Sequence, residues 1–219
     1  MQNKATPQEQ KKISRFWVIT PVFGILLFAL LYLTATLYYP GGSQVDKHST
    51  GFSWRNNYWC NLLNEVAING QHNAGRPVAL AGMVVLCTSL SVFWFYFPRY
   101  VHFSKFARLT IQVSGTLSMV IAVFLFTNLH DTVTYVASVI GLIAVAGTFI
   151  GLYKIKWFGL FGLGIFNLLL VVLNNYLYYT KDMLIYLPVV QKITFVCFLG
   201  WICWIDVELF RKTSPTLLA

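Results

Sequence analysis

Six apolar stretches, each long enough to cross a bilayer as a helix, constrain this chain more than any other feature. They cover residues 16–39, 77–98, 109–129, 132–153, 157–179 and 188–210. A spanning helix needs roughly 20 apolar residues, and within hydrocarbon every backbone N–H and C=O must be satisfied inside the protein. The expected fold class is therefore all-α: a polytopic membrane bundle of six transmembrane helices forming one domain over residues 1–219. Composition agrees, because 11% of the residues are charged where soluble domains carry roughly 25%. The first stretch is longer than the apolar core of a cleavable signal, so it reads as a retained helix.

The ends of the stretches carry the expected punctuation. Pro77 and Pro188 sit at first-turn positions, where a missing N–H is harmless. Phe16 and Trp17, Tyr38 and Tyr39, Trp94 to Phe97, Trp157, and Tyr176 to Tyr179 form aromatic belts at the two interfaces.

Charge placement orients the chain. With the N-terminus inside, the inner segments hold Lys4, Lys11, Lys12, Arg15, Arg99, Lys105, Arg108, Lys154, Lys156, Arg211 and Lys212. The outer segments hold Lys47, Arg55, Arg76 and Lys181, and Lys192 lies within the last stretch. This bias predicts cytoplasmic N- and C-termini in a cell membrane. The net charge of +9 thus serves orientation, and nucleic acid is not an expected partner. Of the four cysteines, Cys60 alone lies in a loop, so no disulfide framework is expected. No Asn-x-Ser/Thr site occurs, which fits a bacterial inner membrane.

One connection is unusual. Residues 40–76 form an outer loop, far beyond the usual 2–8 residues between helices. It opens on Pro40-Gly41-Gly42-Ser43, a turn-forming string. Trp59, Leu62, Leu63, Val66 and Ala67 then recur at helical spacing, opposite Asn57, Asn61, Asn64 and Glu65. With Ser53 as N-cap and Asn69-Gly70 as the stop, a short amphipathic helix over 54–68 is expected on the outer surface. The tight outer turn falls at Leu129 to Thr134, which offers neither Gly nor Pro.

Candidate site residues follow from polar groups near the hydrocarbon, where they are costly. Lys192 either snorkels to the interface or meets Asp131, Glu65 or an anionic ligand. Asn174 and Asn175, with Asn167 deeper, either bridge helices or face a cavity. Together with Trp54, Asn57, Asn61, Asn64, Glu65, His130 and Asp131, these form a candidate ligand site opening outward. His48, His72, His130 and Asp131 are the alternative set, able in principle to hold zinc with one position open. At the inner end, Asp206 and Glu208 are expected to pair with Arg211 and Lys212. Small residues Ala137, Gly141, Gly147 and Gly151 in the fourth helix offer a close-packing face, within the bundle or in a homo-oligomer. No P-loop, dinucleotide fingerprint, nucleophile elbow or C-x-x-C occurs.

The stretch YPGGSQVDKHSTGFSWRNNYWCNLLNEVAINGQHNAGRP resembles bacterial six-helix membrane proteins known only as a domain-of-unknown-function family. Pro40, Gly41, Ser53, Leu62 and Gly70 carry the resemblance. It implies membrane location and a six-helix architecture, and no activity. A fainter likeness, at Trp59-Cys60, is to membrane hydrolases of the alkaline-ceramidase type. That likeness implies a zinc site of three histidines with a Ser and an Asp, although the sixth stretch here has no histidine. The expected function is a non-enzymatic one, binding a lipid or small molecule in an outward-facing pocket. The alternatives are a zinc-dependent hydrolase and a structural or assembly subunit.

Overall fold

The computed structural model describes residues 15–212. Six helices long and apolar enough to cross a membrane make this a multi-pass membrane protein with an all-α fold. They are α1 (Arg15–Leu37), α2 (Arg76–Tyr100), α3 (Lys105–Ala122), α4 (His130–Lys154), α5 (Phe158–Tyr179) and α6 (Leu187–Lys212). Short 3-10 segments lie at Trp59–Leu63, Val123–Phe126 and Lys181–Tyr186. Lys4, Lys11 and Lys12, used above to orient the chain, fall outside the described residues.

Neighbours in sequence pack side by side, α1 on α2, α2 on α3, α3 on α4 and α5 on α6, and α6 closes back onto α1. Helix α2 is the most enclosed, with half of its spanning window buried. Its Phe93 and Phe97 stack at 5.4 Å and are almost wholly buried. The seam between α4 and α5 is the loosest contact between consecutive helices.

Side-chain size explains the difference between seams. In α4, a Cβ on Gly141 would fall 2.7 Å from Ser118 of α3, and one on Gly147 would fall 2.4 Å from Ile111. The small-residue face is therefore used inside the bundle, where α3 covers it, with Ser118 Oγ donating to the Ala137 carbonyl at 2.8 Å. Val139, Leu142 and Val145 of α4 instead border open space beside α5.

Two helix boundaries differ from the expected ones. Helix α3 begins at Lys105 rather than 109, because Ser104 caps it by accepting from Ala107 N–H at 3.3 Å. Its charged first turn hides that start from an apolar count. The turn into α4 comes at Thr127–Leu129, earlier than 129–134. Thr127 makes it without Gly or Pro, its Oγ1 donating to Phe124 O at 2.8 Å and accepting from Leu129 N–H at 3.4 Å.

The larger correction concerns residues 54–68, which do not form an amphipathic helix. Ser53 starts a single turn, accepting from Asn56 N–H at its hydroxyl and from Asn57 N–H at its carbonyl. Only Trp59–Leu63 then coil, as a 3-10 segment. The asparagines on the supposed polar face compete with the backbone for its own hydrogen bonds. Asn57 Oδ1 accepts from Ser53 N–H at 2.8 Å, and Asn61 Oδ1 accepts from Tyr58 N–H at 2.7 Å. Asn69-Gly70 does not stop a helix; with Gly70 at φ +84° it turns a short ribbon that pairs Val66 with His72. Gly42, at φ +82°, is required where it stands, since a Cβ there would sit 2.4 Å from Asn69 N.

Candidate functional site

The long connection folds as a compact cap over one end of the bundle, held by three buried asparagines. Asn73 is fully buried. Its Nδ2 donates to Leu62 O at 3.1 Å and Asn64 O at 2.9 Å, while its Oδ1 accepts from Gly75 N–H at 3.0 Å. Asn57, also fully buried, donates from Nδ2 to Gly42 O at 2.8 Å. Asn61 is the third. Arg76 Nε donates to Leu63 O at 3.1 Å, and its guanidinium lies 3.5 Å from Glu65. Tyr39, at the end of the first crossing, accepts from Ile68 N–H at 3.1 Å. Burial pushes that phenol above its ordinary value, against the lowering effect of the Ile68 N–H. Asn73 was missed in sequence reasoning because it lies outside the helical pattern that drew attention to its neighbours.

Lys192 joins the cap to α6. It neither snorkels nor meets a carboxylate: its ammonium donates to the Asn57 carbonyl and to the Pro188 carbonyl, the latter at 2.9 Å. The Phe52 ring lies 5.8 Å from it. Next to it, Gln191 Oε1 accepts from Trp59 N–H at 3.3 Å. Glu65 and Asp131 are engaged elsewhere, with Arg76 and with His130 Nδ1 at 3.2 Å. Trp54 packs edge-on against Phe52 and Trp59 and is half exposed. In the cap Asn57, Asn61 and Lys192 bond to one another and to the backbone, while the buried indole N–H of Trp59 has no partner among the described residues.

The remaining candidates are dispersed. His48 is exposed in a turn and His72 on the ribbon opposite Val66, and Asn64 is exposed as well. His130 begins α4 beside Cys60, a residue overlooked because its loop position gave no hint of this partner. Among the described residues, no three His, Cys, Asp or Glu side chains group as a metal site would need. All four cysteines are free. Asn174 Nδ2 bridges to Thr194 Oγ1 of α6 and to Leu170 O, whereas Asn175 donates to Val171 O on an exposed face. At the other end of α6, Glu208 pairs with Arg211 at 3.1 Å. Asp206 does not join that pair, since its register on α6 turns it into the core, where it is 2% exposed.

Open space lies elsewhere, along the loose seam between α4 and α5. A cavity of about 540 Å³ is bounded there by α2, α3, α4, α5 and α6, within the roughly 300–1,000 Å³ of ordinary ligand sites. Leu90 and Trp94 of α2 and Met119 and Ala122 of α3 form its back wall. Phe149, Gly164 and Trp201 close one end, where a Cβ on Gly164 would lie 2.8 Å from both aromatic rings. Trp201 is fixed by donating from Nε1 to Leu160 O at 2.8 Å. Along the front, Val139, Leu142 and Val171 are about half exposed, so the cavity opens sideways between the helices. From Thr134 to Phe149 its lining follows α4 for about 22 Å at 1.5 Å per residue. Among the described residues no charged side chain lines it, and its buried polar groups include Ser118 of α3, 3% exposed, and Asn167 of α5, 4% exposed.

Asn167, expected either to bridge helices or to face a cavity, lines this cavity. No family model, no curated protein and no solved structure matches this chain.

Proposed function

We propose that this protein binds a lipid or lipid-like small molecule within the membrane, without catalysis, at the cavity between α4 and α5. The observation that carries the reading is the cavity itself: about 540 Å³, almost entirely apolar, open sideways where lipid would lie, and without a charged group. Apolar walls with few placed polar groups are the usual construction of a small-molecule site. This relocates the site from the pocket expected under the loop, because the cap fills that space with its own side chains.

The proposed orientation keeps both termini in the cytoplasm and the cap outside. Arg99, Lys105, Arg108, Lys154, Lys156, Arg211 and Lys212 gather at the end opposite the cap, which supports it.

The ligand reading is tested by native mass spectrometry of protein released from lipid nanodiscs. Wild-type protein should retain apolar adducts, and the cavity-filling pair Leu142→Trp with Leu168→Trp should lose them while keeping its helix content. Equal adducts in both proteins, or none in either, would sink the proposal. Cys60 reports orientation, since a membrane-impermeant maleimide should label it from outside the cell.

A further inference from the structure

The chemistry of the cavity wall narrows the ligand class. Hydroxyl hydrogens along the wall are directed into helix carbonyls: Ser118 Oγ to Ala137 O, Thr134 Oγ1 to His130 O, and Thr194 Oγ1 to Val190 O. Both indole N–H groups of the lining are taken too, Trp94 by Thr148 Oγ1 at 3.3 Å and Trp201 by Leu160 O. Ser118 and Thr134 thus keep only oxygen lone pairs for a further partner, while Thr194 Oγ1 already accepts from Asn174 Nδ2.

Asn167 sharpens the bias. Its Nδ2 donates to Leu163 O at 3.1 Å, which orients the amide, because a flipped amide would set two oxygens against each other. Its Oδ1 is buried and has no hydrogen-bond partner among the described residues. A buried acceptor left unpaired is costly, so a ligand that donates to it recovers that energy. Asn167 also lies nine residues into α5, about 14 Å along the helix axis. That is close to the middle of hydrocarbon roughly 30 Å thick, where an ionised ligand group would be expelled. The donor must therefore be neutral, and the apolar wall along α4 suits a chain.

Resting on the ligand reading above, we propose that the α4–α5 cavity takes a neutral long-chain lipid alcohol whose hydroxyl donates to Asn167 Oδ1. The hydroxyls of Tyr135 and Ser138 also stand along the α4 wall; they are exposed and can both donate and accept, whereas the buried Asn167 Oδ1 can only accept.

The test uses the full chain in nanodiscs and quenching of tryptophan fluorescence by two probes, 12-bromo-1-dodecanol and its methyl ether, 1-bromo-12-methoxydodecane. The probes share an apolar chain and differ in the donor. Trp94 and Trp201 report occupancy of the cavity they line. Wild-type protein should bind the alcohol roughly three- to tenfold more tightly than the ether, the range that one net hydrogen bond supplies. Asn167→Leu should bind both equally. Saturable binding of both probes with no preference in wild-type protein would overturn the donor assignment and leave the cavity reading standing. Absence of saturable binding by either probe would overturn both. The alcohol-to-ether ratio in wild-type protein decides the matter even if the variant fails to fold.

Discussion

The cap and the cavity solve the same problem in opposite ways. Both place asparagines out of reach of water, at Asn57, Asn61 and Asn73 in one and Asn167 in the other. In the cap the buried amides are joined to backbone groups, and Lys192 closes the network from α6. In the cavity wall one buried amide oxygen, that of Asn167, has no hydrogen-bond partner among the described residues. A buried polar network that is complete makes structure rigid and specific. An acceptor left unpaired beside a cavity can be completed by a ligand. The sequence pattern directed attention to the first region, and packing shows that the second is the more capable of binding.

Removing the cap's central amide should have the largest effect. Asn73→Ala strands Leu62 O, Asn64 O and Gly75 N–H together, and should lower stability by about 3 kcal/mol or more. Thermal unfolding in detergent measures this, and an unchanged midpoint would mean the asparagines do not hold the cap.

Lys192→Met should cost about 2 kcal/mol, chiefly by leaving the Asn57 carbonyl unpaired, since Pro188 O keeps the helix N–H of residue 192. It should also speed maleimide reaction at Cys60 as the cap loosens from α6. A more stable variant would show instead that desolvating the ammonium outweighs its two hydrogen bonds.

The two faces of α4 give a third contrast. Gly147→Leu drives a side chain into Ile111 and should cost about 1–3 kcal/mol by overpacking. Ser138→Leu, on the cavity side, should stay within about 0.5 kcal/mol. Equal losses at both sites would deny that the α4–α5 seam is open.

The smallest effect, with the opposite sign, belongs to Asn167→Leu. Replacing an acceptor that has no partner by an apolar side chain should be neutral or stabilising by up to about 1 kcal/mol. A clear loss of stability would mean that Asn167 is a structural tie like Asn73, and would remove the contrast between the two regions.

Much of the architecture was legible in the residue order. Length and hydropathy place six helices, since hydrocarbon leaves a spanning segment no other way to satisfy its backbone. The misreadings share one cause, which is that a local pattern does not say which partner wins. Trp59, Leu62, Leu63, Val66 and Ala67 have helical spacing, yet Asn57 and Asn61 take the backbone hydrogen bonds that a helix over 54–68 would need. Asp206, Glu208, Arg211 and Lys212 are neighbours in sequence, yet Asp206 faces the core and leaves the pair to Glu208 and Arg211.

Residue order alone establishes the six crossings and the basic residues clustered at one end, because both depend on transfer of single segments between water and lipid. Tertiary structure decides the rest. Whether Lys192 reaches a carboxylate or the cap's carbonyls depends on where a segment 135 residues away is folded. Whether Asn167 is bridged or left with an open acceptor depends on how closely α4 and α5 approach, and that distance is set by side chains on both helices at once.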